Sequence, residues 1–471
     1  MGAQPPISGP ASRVLRAPST SPRRPLDAYE LPAPELLSHQ TELYVLYILY
    51  IIRIVSEPLR RNRDFVLLWS ATLSSTLGAQ VASVAYPLLA LHLTGSAVHA
   101  GLIGSAAMAA GIALRLPAGA LVDRWDRRRT MLVCDLVRAV LVATTVTGSL
   151  LGFLDWRMLL GVAVVSGVCG VFFEPAETAL LRHVVPAEHL PRALAHNEAR
   201  QYGATIAGPP LGGLLFNLGR TVPLAGELLA HLLSFAAVLA VKSPASTTPT
   251  TLVARTAPST PDRPLSLLRE IADGLRWSWR QRFLRVLLVT AAGFGLVFSA
   301  LTFTAIVAAR QSGAAPADVG LMMAISGAGG LLGALAAPRL QRLSPTSVVL
   351  AMFWVAAATI PAMAVRPTAW TIGPLLAAAF FLAPAANAIL YTYQMTITPD
   401  HLQGRVLSSL ALLGGAAAPV GPLASGLVLE HWGVRAALLS IAAVMGVVAL
   451  GATWSRTVRH LPPLDRATAV G

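Results

Sequence analysis

Seven ionisable residues lie deep within the long apolar stretches of this 471-residue chain: Arg115, Asp135, Arg138, Glu174, Glu177, Glu227 and His231. A charge among hydrocarbon is costly, so such residues either pair to hold helices together or take up and release protons. Glu227 and His231 are four apart. On a helix they share a face, and a carboxylate beside an imidazole suits a proton site. Asp135 and Arg138, three apart, read either as a structural ion pair or as a coupling site. Glu174 and Glu177 flank Pro175 near the end of their stretch, where a gate and a snorkelled surface are both open readings. The uncharged polar residues Gln80, Asn387, Tyr391 and Gln394 could line a cavity or make interhelical hydrogen bonds.

The elements that hold these residues follow from composition. With 55% hydrophobic and 12% charged residues and a mean hydropathy of +0.63, the chain is too apolar for a soluble protein and long enough for about a dozen helices of roughly 20 residues. It reads as an all-α membrane protein whose first partner is the lipid bilayer. The net charge of +14 does not indicate nucleic acid, because the arginines fall in short blocks between apolar runs, as the positive-inside rule requires. Cys134 and Cys169 have no metal-ligand spacing and read as small buried apolar residues. Neither a metal nor another cofactor is expected.

Twelve spans are expected, at 65–93, 100–122, 130–151, 156–181, 197–218 and 222–241, then 283–309, 319–337, 347–364, 371–396, 406–429 and 434–454. They define a Pro-, Ser- and Arg-rich segment 1–64, a six-helix bundle 65–242, a central polar linker 243–282, a second six-helix bundle 283–456 and a tail 457–471. The apolar run at 44–52 is too short to span and reads as interfacial or disordered, and no cleavable signal peptide is expected. With both termini inside, the inner flanks and loops carry 25 lysines and arginines against five on the outer loops. That bias places segment 1–64, linker and tail in the cytoplasm of a cell-membrane protein.

One loop is more specific than the rest. Gly119-x-x-x-Asp123-Arg124-x-x-Arg127-Arg128 breaks two apolar runs with a burst of charge, Gly119 permitting a close helix approach and Asp123 pairing with arginine. This spacing resembles the signature loop between the second and third helices of the major facilitator superfamily, although many members have glycine where Asp126 stands. An internal repeat at an offset of 213 aligns Pro186 with Pro399, Arg192 with Arg405, Gly208-Pro209 with Gly421-Pro422 and Gly213 with Gly426. Parallel repeats of this kind are similar to the two pseudo-symmetric halves of that superfamily. The run from Gly208 and Pro209 to Gly212 and Gly213 resembles the GPxxGG element of its 12-span drug-export branch, which includes macrolide and enterobactin exporters.

The resemblance, covering about residues 60–455, implies two six-helix bundles rocking around a central site for a small amphipathic molecule. It implies drive by protons or another ion, a cytoplasmic gate at Asp123, and action as a monomer. An arginine that some proton-coupled members carry in the fourth span has no counterpart, Arg157 sitting at the outer end. There is no Walker loop to use ATP, and no HExxH or comparable constellation for a membrane enzyme. Uptake of a nutrient by symport, or a non-transporting receptor, are the alternatives to export.

Overall fold

The computed structural model describes residue 59 and residues 61–242, 276–399 and 402–459. The expectations for segment 1–58, the run at 44–52, the linker from 243 to 275 and the tail from 460 therefore lie outside the described residues.

The helices begin where side chains can satisfy their free amides. Asn62 accepts from the amide of Phe65 to start α1 (Arg63–Thr94), and Gly95, at φ 65°, closes it in a left-handed conformation that costs glycine little. Ser96 caps α2 (Ala97–Val122), and Asp126 caps α3 (Arg127–Leu151) by accepting from the Arg129 amide at 2.7 Å. Next come α4 (Trp156–Val184), α5 (Leu190–Leu218) and α6 (Val222–Ala240). After the linker come α7 (Arg282–Gln311), α8 (Pro316–Leu340), α9 (Pro345–Val365), α10 (Ala369–Phe381), α11 (Ala383–Ile397), α12 (Gln403–Ala416), α13 (Val420–Trp454) and the short α14 (Arg456–Arg459).

Every expected span falls in a helix, with three corrections. Helix α5 starts at Leu190 rather than 197, because its first two turns carry Arg192 and His196 and so look like loop to a hydropathy reading. The tenth span is broken at Leu382, just before Pro384, and the eleventh is broken at 417–419, which ends in Pro419. Proline lacks the amide that would continue the ladder.

Among the described residues, ten segments are long and apolar enough to cross a membrane, one of them being 46 residues, Ser409–Trp454. At 1.5 Å per residue that is about 70 Å, more than twice a bilayer core. It cannot be one straight crossing. Gly421 packs on Ser299 and Ala300 of α7, whereas Gly293 of the same helix packs on Val448. Positions 421 and 448 would stand about 40 Å apart on a straight helix, but their contacts on α7 are only about 10 Å apart. The chain therefore folds back, and Gly433 (φ 80°, ψ 179°) is the break. With α5 in place between α1 and α8, although too polar for the apolar criterion, the crossings among the described residues number twelve.

Contacts divide into two bundles. In the first, α1 packs on α5 and α6, α2 on α4, and α3 on α4 and α6; in the second, α7 and α9 pack on α13 and α8 on α10. Two seams join them, α5 to α8 and α2 to α13. The internal repeat explains their symmetry. Gly208 and Gly421 each press on the first helix of their own bundle, at Gln80 and at Ser299. Gly213 and Gly426 face across the seams. A Cβ on Gly213 would lie 2.9 Å from Gly320, and one on Gly426 would lie 2.7 Å from the Ala97 carbonyl oxygen. Both contacts lie toward the end of the bundles away from the Asp123 loop.

Candidate functional site: a buried carboxylate and imidazole cluster

Helix α6 presents Glu227, His231 and Ser234 along one face, as their spacing of four and three dictates. That face turns inward. Glu227 and His231 are each 2% exposed and Ser234 is fully buried, against α1 and α3. Asp135 of α3, 0% exposed, brings Oδ1 within 3.5 Å of His231 Nδ1 and accepts a 2.5 Å hydrogen bond from Ser234 on Oδ2. His231 Nε2 lies 3.9 Å from Glu227 Oε1, and the Tyr86 hydroxyl of α1 donates to Glu227 Oε2 at 2.8 Å. The imidazole thus stands between two carboxylates, near both and hydrogen-bonded to neither. Gly78 makes room for this, its missing side chain leaving space against Ala230 and Glu227.

Sequence spacing brings Glu227 to His231 and misses the rest. Asp135 and Arg138 do not form the expected ion pair. Asp135 is drawn to α6, while Arg138 donates to the Ser166 carbonyl of α4 at 3.0 Å and to Ser75 of α1 at 3.4 Å, with its guanidinium 5.7 Å from the Phe173 ring. Among the described residues Arg138 has no carboxylate within ion-pair distance. Its charge stays close by, beside Cys169 and Gly170 of α4. Helices α3 and α6 are also fastened at both ends. Ser149 and Thr221 hydroxyls meet at 2.7 Å, and Arg128 donates to the Val238 and Leu239 carbonyls that end α6.

A second buried pair joins α4 to α5. Arg200 donates to Glu177 Oε1 at 2.8 Å, Asn197 adds a 3.1 Å bond to the same oxygen, and both charged residues are 7% exposed. Arg200 falls inside the expected span 197–218, but its partner lies 23 positions away on α4, which local spacing does not reveal. Glu174 and Arg115 are exposed, so the two glutamates that flank Pro175 have different surroundings.

The signature loop forms a turn, and the contacts expected of it are not made in this conformation. Asp123 ends α2 with an exposed side chain that pairs with no arginine among the described residues, and Arg124 is likewise exposed. A Cβ on Gly119 would meet nothing within 4 Å, so Gly119 mediates no close helix approach in this conformation. The reason is geometric: the closest backbone contacts between the bundles lie at the other end. Arg127 reaches His183 at 2.9 Å, and Asp126 takes the capping role. At that other end Glu430 of α13 accepts from the Ser96 hydroxyl at 2.5 Å and from the Val98 amide at 3.0 Å, fastening α2 across its seam.

Of the polar candidates, Gln80 donates to Thr205 at 2.8 Å and ties α1 to α5. Asn387, Tyr391 and Gln394 line one cavity of about 330 Å³ between α7, α9, α11 and α12. Cys134 and Cys169 are buried and unbridged, as expected of apolar packing residues.

Twelve crossings in two repeated bundles, with charges buried between helices of one bundle, define a membrane transporter of the major facilitator fold. The chain belongs to the transmembrane secretion effector family of that superfamily, whose profile matches residues 56–468. It is 28% identical over 408 residues to the multidrug efflux pump Tap of Mycolicibacterium fortuitum, covering 84% of this chain and 96% of the pump. Against the pump of the same name from Mycobacterium tuberculosis H37Rv it is 29% identical over 435 residues, covering 87% and 98%. In fold it is similar to the inward-facing, unoccupied crystal structure of a bacterial homologue of the human lysosomal transporter Spinster. The TM-score is 0.65 at 14% identity, covering 88% of this chain and 98% of that one.

Proposed function

We propose that this protein exports small amphipathic organic compounds from the cytoplasm in exchange for protons. The multidrug efflux pumps that it matches over nearly their whole length support export. The observation that carries proton exchange is the position of His231 between Asp135 and Glu227, all buried. With both carboxylates ionised and the imidazole neutral, the group holds two negative charges beside the single positive charge of Arg138. One proton on it brings the set to neutrality, which a low-dielectric interior favours, and the Tyr86 and Ser234 hydroxyls supply hydrogen bonds that can adjust. A cycle that loads the proton from one side and releases it to the other converts a proton gradient into movement of the bundles.

In this reading the Asp123 end is cytoplasmic, with segment 1–64, linker 243–282 and tail 457–471 on the same side, as the arginine bias supports. The seams closed at the far end then make the conformation inward-open. Asp123 engages only when the inner mouth shuts, and the working unit is a monomer in the cell membrane. In this reading Pro209, inside α5, gives that helix a point at which it can bend, and Gly208 and Gly421 are the close contacts over which α5 and α13 slide on α1 and α7.

The test is transport of ethidium in proteoliposomes under an imposed pH gradient. Wild type moves the dye against its own gradient and stops when the pH difference is collapsed. Glu227→Gln keeps the Tyr86 contact but cannot carry the proton, so it still equilibrates dye and no longer concentrates it. Gradient-driven accumulation equal to wild type in both Glu227→Gln and Asp135→Asn overturns the assignment.

A further inference from the structure

The cavity between α7, α9, α11 and α12 is lined by a buried polar side chain with an unsatisfied donor. Gln394 is 2% exposed, lines the cavity, and its side-chain amide Nε2 has no hydrogen-bond partner among the described residues. Buried donors are almost always satisfied, and an orphan that faces a cavity marks a place where an acceptor can sit. Asn387, Tyr391 and Gln394 follow one another at spacings of four and three along α11, so one helix face carries all three polar groups. The wall opposite is apolar and aromatic. Phe294 and Phe353 meet edge to face at 6.4 Å, beside Met352.

We propose that this cavity is a binding site for uncharged, largely apolar molecules that bear a carbonyl or ether oxygen, which accepts a hydrogen bond from Gln394. About 330 Å³ is at the lower end of small-molecule sites, and an apolar lining with a few convergent polar groups is their usual composition. The chemistry selects against charge. None of the described residues lining the cavity is acidic or basic, so an organic cation would give up its hydration for aromatic faces alone. The ionisable cluster lies in the other bundle, on α3 and α6. Recognition of neutral substrates is thus separated from proton handling, with the neutral site in the second bundle and the charged one in the first, and cations such as ethidium bind elsewhere. That the bound molecule is the exported one rests on the function proposed above.

The experiment measures equilibrium binding of tritiated progesterone, a neutral probe with ketone acceptors and no donor, to the full chain in nanodiscs without any gradient. Gln394→Leu should weaken it about fivefold, the value of one ordinary hydrogen bond, without lowering the thermal midpoint, since an orphan donor is removed. Ala411→Phe, which fills the cavity from α12, should abolish it. Tetraphenylphosphonium should not compete. Affinity unchanged in either variant, or displacement by tetraphenylphosphonium, overturns the site. Wild type that pumps ethidium but binds no progesterone refutes the site alone. Variant-sensitive binding in a protein that pumps nothing upholds the site and refutes the export reading.

Discussion

The seam between α5 and α8 is backbone against backbone at Gly213, and a single methyl group there should open it. A Cβ at this position would overlap the Pro316 carbonyl oxygen and lie 2.9 Å from both Gly320 N and Cα. None of these is the mobile end of a side chain, so Gly213→Ala is relieved only by parting the helices. Overpacking of this kind costs about 1–3 kcal/mol, and it acts only on the conformation in which the seam is closed. Taking about 2 kcal/mol, the ratio of seam-open to seam-closed molecules rises roughly 30-fold. Spin labels at Arg220 and Ser312, both exposed and in the turns that flank the seam, report its width by pulsed dipolar spectroscopy in a cysteine-free background. The mutant should shift weight to the longer distance. Gly330→Ala on the same helix α8, where a Cβ meets nothing within 4 Å, should leave the distribution alone. If Gly213→Ala inserts normally and gives the wild-type distribution, the seam is not a contact that transport must break.

Three further outcomes follow from other contacts. Glu430→Gln weakens the charge-assisted bonds to Ser96 and Val98, so labels at Arg157 and Arg435 should show the α2–α13 seam opening more often, by about fivefold. Arg200→Met strands Glu177 as a buried lone charge and should cost about 3–5 kcal/mol in detergent unfolding, and adding Glu177→Gln should recover most of it; equal losses in single and double mutants would disprove the pairing. Asp123→Asn should alter unfolding by less than about 0.5 kcal/mol, because the side chain is exposed here, yet sharply reduce ethidium transport, and full transport would make the loop a topology anchor only.

The helices were legible because burial in lipid imposes long apolar runs, and the loop because charge interrupts them. What local pattern cannot supply is which face meets which. Tyr86 and Glu227 are 141 positions apart and Ser234 and Asp135 are 99 apart, so their hydrogen bonds exist only once α1, α3 and α6 are packed. For the same reason the i,i+3 spacing of Asp135 and Arg138 misled: each found a better partner on a neighbouring helix. Arg200, inside the expected fifth span, has its partner Glu177 on another helix 23 positions away, and the breaks at Leu382 and 417–419 had their signals, Pro384 and Pro419, in plain sight. The repeat was the most informative feature of all. It aligned Gly213 with Gly426, which each press on the backbone of the opposite bundle.

The fastening of α3 to α6 has a mechanical consequence. Pinned by Ser149 and Thr221 at one end, Asp135 and Ser234 midway and Arg128 at the other, the pair is a strut that resists sliding. A change of charge at His231 therefore has little room to act within the strut. Its outlets are the Tyr86 hydroxyl and the Arg138 arm, which lead to α1 and α4. Helix α1 in turn bears on α5 through Gln80, both at Thr205 and at Gly208, and α5 carries Gly213 to the seam. Under the proton exchange proposed above, force would leave a stiff member through α1, as through a lever whose far arm rests on the joint between the bundles.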